Sequence, residues 1–203
     1  MPGVLFEGGS FRAIFSCGVM DALLDQDVMF PYCIGVSAGA ADSASYISRQ
    51  KERNLNMLLR YRNDKRYMGL RNYFKKEHSL FGVDFVFRKM PNVLFPFDMD
   101  TFQNYAGDYV VVTTDANTGK PHYFHKEDVD DRFDVICASC ALPVYFQAVH
   151  IGGGVYYDGG VSDPVPIRRL QRDGHHKALI VLTRPEGYRK ACGRSDRFAA
   201  VSY

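Results

Sequence analysis

The sequence has no tryptophan and no apolar run approaching the roughly 20 residues that a membrane-spanning helix needs. Cysteine is scarce as well: five residues, an odd number at irregular spacings. That excludes a disulfide scaffold of the secreted kind and points to reduced thiols in a cytoplasm. Cys137-Ala138-Ser139-Cys140 has C-x-x-C spacing, but it lies among apolar residues rather than after a first strand. We read its cysteines as buried free thiols, not as a redox pair. No cluster of residues has metal-ligand spacing, so no metal is expected. Charge of one sign is also missing, since 25 Lys and Arg face 23 Asp and Glu. A net charge of +2 makes no case for nucleic acid. Met1-Pro2-Gly3 runs directly into Val4-Leu5-Phe6, with neither a basic n-region nor a cleavage site. There is no repeat, no low-complexity tract and no linker. The expectation is one cytoplasmic domain over residues 1–203, long enough to bury a full core.

What is present is a rhythm of short apolar runs, glycine turns and helical spacing. Val4-Leu5-Phe6 reads as a buried first strand. After Glu7-Gly8-Gly9-Ser10-Phe11-Arg12-Ala13, Ile14, Val19, Met20, Leu23 and Leu24 recur at helical intervals. A strand, a glycine turn and a helix together present backbone N–H groups to an anion. Two anions are conceivable, a nucleotide phosphate or the oxyanion of an acyl-transfer step. A dinucleotide site would want glycines where Ser10 and Ala13 stand, and an acid closing the next strand. That next strand closes instead on Gly35-Val36-Ser37-Ala38-Gly39, after the apolar run Phe30-Pro31-Tyr32-Cys33-Ile34. A serine between small residues, with a strand before it and a helix after it, fits a nucleophile elbow. The positive end of that helix favours an alkoxide-like oxygen. The oxyanion reading therefore fits better.

From about 49 to 105 the character changes, with no clean strand and a basic, aromatic, helical composition. Between Lys51 and Met90 eleven Lys or Arg face four acids, a local balance of 11 − 4 = +7. Such a stretch could cover the site and meet anionic lipid head groups, or it could be helices with solvated basic faces. No nucleic-acid-binding module accompanies the charge. Beyond it, strands are expected at 108–114, 122–125, 149–151, 155–157 and 177–183, with a helix from Val129 to Cys140. Asp158-Gly159-Gly160 ends one of these strands. Its carboxylate could take the Ser37 proton where strand ends converge, or it could make a simple Asx turn.

These motifs together resemble the patatin-like phospholipase family. The likeness runs from about Val4 to about Arg189 and includes Ala138-Ser139-Cys140-Ala141-Leu142-Pro143 with Phe146. It implies a three-layer α/β/α fold with a mostly parallel central sheet, and a Ser-Asp dyad that cleaves acyl esters of lipids without a histidine. Carried over, Ser37 is the nucleophile and Asp158 the general base. The amides of Gly8, Gly9 and Ser10 form the oxyanion hole, and Arg12, Gly35, Gly39, Gly159 and Gly160 support it. The implied partner is a lipid or acyl-ester substrate, with peripheral contact at the inner membrane surface and no cofactor. The sequence departs from the family at Ser10 and Ala13, where members usually carry glycine. A Ser10 with positive φ would cost on the order of 1 kcal/mol. Members also continue past the point where this chain stops at Tyr203, so truncation at that side is expected. Two other readings stay open: a Ser-Asp-His esterase using His175 or His176, and a non-catalytic acyl-binding module on the same fold.

Overall fold

The computed structural model describes residues 1–74 and 79–189. Lys75 and Lys76, which belong to the basic stretch, lie outside the described residues, as does Cys192. A seven-stranded sheet runs in the order β5-β6-β3-β2-β1-β7, with β4 paired to β3. Its centre is parallel: β1 (Gly3–Phe6) lies between β2 (Tyr32–Val36) and β7 (Ala178–Val181), and β2 continues onto β3 (Asp108–Asp115). Beyond β3 the sheet turns antiparallel through β4 (Pro121–His125), β6 (Gly154–Asp158) and β5 (Val149–Ile151).

The central strands are buried on both faces, and their side chains alternate between two cores. Val4, Phe6, Cys33, Tyr109 and Val111 enter one cluster, while Leu5, Ile34, Val36, Val110 and Val112 enter the other. The first cluster lies beneath α1 (Ile14–Asp25), α2 (Ala38–Ile47) and α6 (Asp134–Cys140); Leu170 of α7 (Ile167–Arg172) closes the second. These are the three layers that the resemblance implied.

Two boundaries move from their expected places. β2 begins at Tyr32 but keeps pairing to Val36, the residue before Ser37. The helix expected from Val129 starts only at Asp134. Val129 is extended and buried, the Asp130 carboxylate accepts the Arg132 N–H in an Asx-type turn, and Phe133 adopts a left-handed φ of 54°. The described residues of the 49–105 stretch are largely helical. They form α3 (Arg53–Tyr61), α4 (Leu70–Tyr73), a π-helix over Phe85–Leu94 containing Pro91, and α5 (Met99–Gln103). None of the four described cysteines is in a disulfide, and three of them are buried. Among the described residues no helix is long and apolar enough to cross a membrane.

Candidate active site

The register of β3 brings two distant segments together. Val36 sits opposite Val112, and Asp158 sits opposite Thr113. Thr113 and Thr114 already pair with β4 along one edge of β3, so β6 must lie along the other edge, the one β2 occupies as far as Val112. β2 runs up that edge and β6 runs down it, so they meet end to end. Ser37 and Asp158 stand at the junction.

Ser37 has φ 54° and ψ −128°, a strained conformation for a residue with a side chain. Its carbonyl accepts the first helical N–H groups, from Ala40 at 2.9 Å and Ala41 at 3.2 Å, so it caps α2. The glycines on either side are required by close approach. A Cβ on Gly35 would lie 2.5 Å from Ala40 Cα, and one on Gly39 would lie 2.4 Å from the Phe6 carbonyl oxygen. The strain is held by a contact that motif reasoning did not single out. The Ser37 N–H donates to Ser139 Oγ at 2.8 Å, and that hydroxyl donates to the Val112 carbonyl at 2.7 Å.

Asp158 is 2% exposed. Its Oδ1 accepts the Gly160 N–H at 2.7 Å, while Oδ2 has no formed hydrogen bond among the described residues. Burial raises its pKa to about 6; the nearby Ser37 hydroxyl and the Gly160 amide pull the other way. The Ser37 hydroxyl is thus close enough to act on Asp158, with no hydrogen bond formed to Oδ2 among the described residues. Gly159 permits the approach, because a Cβ there would meet the Val112 carbonyl oxygen at 2.3 Å.

The Gly8-Gly9-Ser10 turn packs directly on the serine. A Cβ on Gly8 would lie 2.8 Å from Ser37 Cβ and 3.6 Å from Ser37 Oγ. The N–H groups of Gly8, Gly9 and Ser10 donate to no described residue, which leaves three adjacent amides for an anion. Ser10 does adopt a positive φ, 51°, so the strain expected from its side chain is present. Beyond β7, Thr183 pins the turn: its N–H donates to Glu7 Oε2 at 2.5 Å and its hydroxyl to the Gly8 carbonyl at 2.7 Å. Arg12 is exposed and its guanidinium lies over Gly9. His175 is elsewhere. Its ring stacks on Tyr32 with centroids 4.3 Å apart and its Nδ1 contacts the Met1 carbonyl, at the opposite end of β2 from Ser37. His176 follows it at that end of the sheet, so the geometry gives the triad reading no histidine from this pair.

A cavity of about 150 Å³ opens from Ser37 between α2 and the 49–105 helices. Its wall is mostly apolar, with Met57, Phe81, Phe87, Pro91, Phe97 and Phe146 prominent. Tyr67, Phe81, Phe87 and Phe97 of the 49–105 stretch therefore line the cavity, while Arg60, Arg62, Lys65 and Arg71 remain exposed. A model of the patatin-like phospholipase family matches residues 4–170. The chain belongs to that family. It is 29% identical over 186 residues to the uncharacterized protein YjjU of Escherichia coli strain K12, covering 88% of this chain and 51% of that protein. The crystal structure of VipD from Legionella pneumophila is similar at 15% identity with a TM-score of 0.44, covering 80% of this chain and 46% of that one. The chain spans about half the length of these two proteins that it matches.

Proposed function

We propose that the protein is a lipid acyl hydrolase working through a Ser37–Asp158 dyad. The observation that carries this reading is the meeting of Ser37, in its strained elbow, with the buried Asp158 carboxylate beside three unused amides. Ser37 Oγ attacks the ester carbonyl carbon as its proton passes to Asp158, and the carbonyl oxygen takes the charge. The amides of Gly8, Gly9 and Ser10 receive that oxyanion. Collapse breaks the bond to the alkoxy oxygen, which leaves with the proton from Asp158. Water then attacks the acyl-serine and gives its proton to Asp158. The carboxylic acid departs and Ser37 regains its hydrogen. A carboxylate with an ordinary pKa is a poor base for an alcohol, and burial strengthens this one.

Labelling with a fluorophosphonate tests the nucleophile, and hydrolysis of a lipid panel with the Ser37→Ala protein as blank tests the substrate class. Labelling at Ser37 together with release of fatty acid is expected. Acyl ligands bound without either result would assign the chain to the non-catalytic module.

We place the protein in the cytoplasm, at the inner membrane surface during turnover. Structure trims the basic patch that supports this: Lys51 pairs with Asp25, Arg66 with Asp64, and Arg88 with Asp134. Arg60, Arg62, Lys65, Arg71 and Lys89 are exposed and have no ion pair among the described residues. Each such charge near an anionic bilayer contributes about 1 kcal/mol, screened over roughly 8 Å at physiological salt. The protein is expected to sediment with anionic vesicles at low salt and to release as salt rises. Lys65→Glu with Arg71→Glu should weaken that binding and leave turnover of a soluble ester unchanged. Equal binding to neutral and anionic vesicles at every salt concentration would make the patch a solvated face.

A further inference from the structure

The cavity that begins at Ser37 does not stay apolar. Its floor is one face of α2, where Ala38, Ala41 and Ala44 leave room above the helix. On the same face stands Asp42, and Arg53 and Asn54 of α3 line the cavity beside it. Asp42 is 8% exposed, and its Oδ2 has no hydrogen-bond partner among the described residues. Arg53 is held by the Phe95 carbonyl at 2.7 Å and by Ser45 Oγ at 3.1 Å, over the face of Phe97. It makes no salt bridge within the described residues, although its charge acts on Asp42. Burial raises the Asp42 pKa to about 7, with the Cys17 thiol and then the Arg53 charge pulling the other way, and burial lowers that of Arg53 to about 10.

A cavity serving only hydrocarbon has no use for these groups. A buried, underused carboxyl beside a guanidinium costs free energy when the space next to it holds only methylene groups. The same pair is complementary to a hydroxyl, which donates to a carboxylate oxygen and accepts from a cationic N–H. We propose that the polar part of the cavity wall, formed by Asp42, Arg53 and Asn54, is a specificity subsite for a hydroxyl group carried on the acyl chain. The proposal rests on the hydrolase reading, which makes Ser37 the other end of the same ligand. Asp42 lies five residues along α2 from Ser37, about 7.5 Å at 1.5 Å per residue. An extended chain advances about 3.4 Å per three bonds, so the carbon bearing the hydroxyl belongs roughly seven bonds from the ester carbonyl carbon. A site that hydrogen-bonds a substrate hydroxyl discriminates strongly against the analogue lacking it, because its polar groups are then left unpaired.

The test compares 4-nitrophenyl 8-hydroxyoctanoate with 4-nitrophenyl octanoate. Binding of each intact ester to the Ser37→Ala protein is measured by calorimetry, and turnover of each by the wild-type protein is followed in parallel. The hydroxylated ester is expected to bind at least tenfold more tightly. Adding Asp42→Leu should reverse that order, and Asp42→Asn, which keeps the shape and a hydrogen-bonding oxygen, should retain part of it. Equal or weaker binding of the hydroxylated ester, or an order unchanged by Asp42→Leu, overturns the subsite. Because binding is read without turnover, the two readings fail separately. Preference without cleavage keeps the subsite and removes the hydrolase, while cleavage without preference does the reverse.

Discussion

Ser37→Ala is expected to abolish hydrolysis of a short-chain 4-nitrophenyl ester, and Asp158→Asn to lower kcat/KM by about 10²- to 10⁴-fold, the range for loss of a general base. In the wild-type protein kcat/KM should rise about tenfold per pH unit up to the Asp158 pKa, about 6, and level off above it, because only the ionised carboxylate accepts a proton. Stability should move in the opposite direction. Asp158 has a folded pKa of about 6 against an ordinary value of 3.8, so the fold prefers the protonated carboxyl. Its contribution is fully favourable below about pH 4 and is lost as pH rises through 6. Above that, the charged group costs up to about 3 kcal/mol, at 1.36 kcal/mol per pKa unit. Asp158→Asn carries no such charge, so at pH 8 the inactive protein is expected to melt above the wild type. Near-wild-type turnover in Asp158→Asn removes the dyad. A lower melting temperature at pH 8 removes the account of a buried, destabilising base.

The opposed signs also distinguish a base from a structural aspartate. The Asp158 side chain caps its own turn by accepting the Gly160 N–H. An aspartate present only for that Asx turn would be solvated, since nothing in such a turn requires burial. Asp158 is instead enclosed, with one oxygen left open toward Ser37. Desolvation is a cost to the fold and a gain to base strength, and the two arise from the same enclosure.

The sequence made the frame legible where chemistry constrains short segments. Val4-Leu5-Phe6 and Asp108 to Thr114 are apolar enough to be buried strands without reference to anything else, and both are. The elbow was legible because Gly35, Ser37 and Gly39 meet a steric demand within five residues. The end-to-end meeting of β2 and β6 was not legible, since it depends on which edge of β3 each strand takes and no local propensity encodes that choice. The late start of α6 was hidden for a similar reason: Val129 has helical spacing with Phe133 and Ile136, but tertiary burial draws it into extended backbone. Nothing in the local sequence marks Asp42. The packing of α1 and α3 on α2 encloses it, with Cys17 and Arg53 beside it.

Ser139 lies in the family-like segment from Ala138 to Pro143, and its hydrogen bonds give it a role. It is fully buried on α6, 102 residues from Ser37 in sequence, and it joins the Ser37 N–H to the Val112 carbonyl. One hydroxyl thus ties the strained elbow to β3, the strand that also carries Asp158 through Thr113. Ser139→Ala leaves a buried donor and a buried acceptor unpaired, at about 1–3 kcal/mol for each group left unsatisfied. The melting temperature should fall, and the fluorophosphonate labelling rate at Ser37 should fall about 10- to 100-fold, because Oγ loses its fixed place relative to Asp158 and the turn amides. Ser43→Ala separates geometry from general destabilisation, since that buried hydroxyl on α2 donates to the Ala40 carbonyl at 3.2 Å and acts on Cys33 and Tyr109 rather than on Ser37. Its labelling rate should match the wild type. The pH at which activity levels off should stay near 6 in Ser139→Ala, since the burial of Asp158 is unaltered. Ser139→Thr, which restores an oxygen at the same atom, should recover part of the rate. A Ser139→Ala protein that labels at the wild-type rate, while melting at a lower temperature, would reduce Ser139 to a packing residue and leave the elbow held by Gly35 and Gly39 alone.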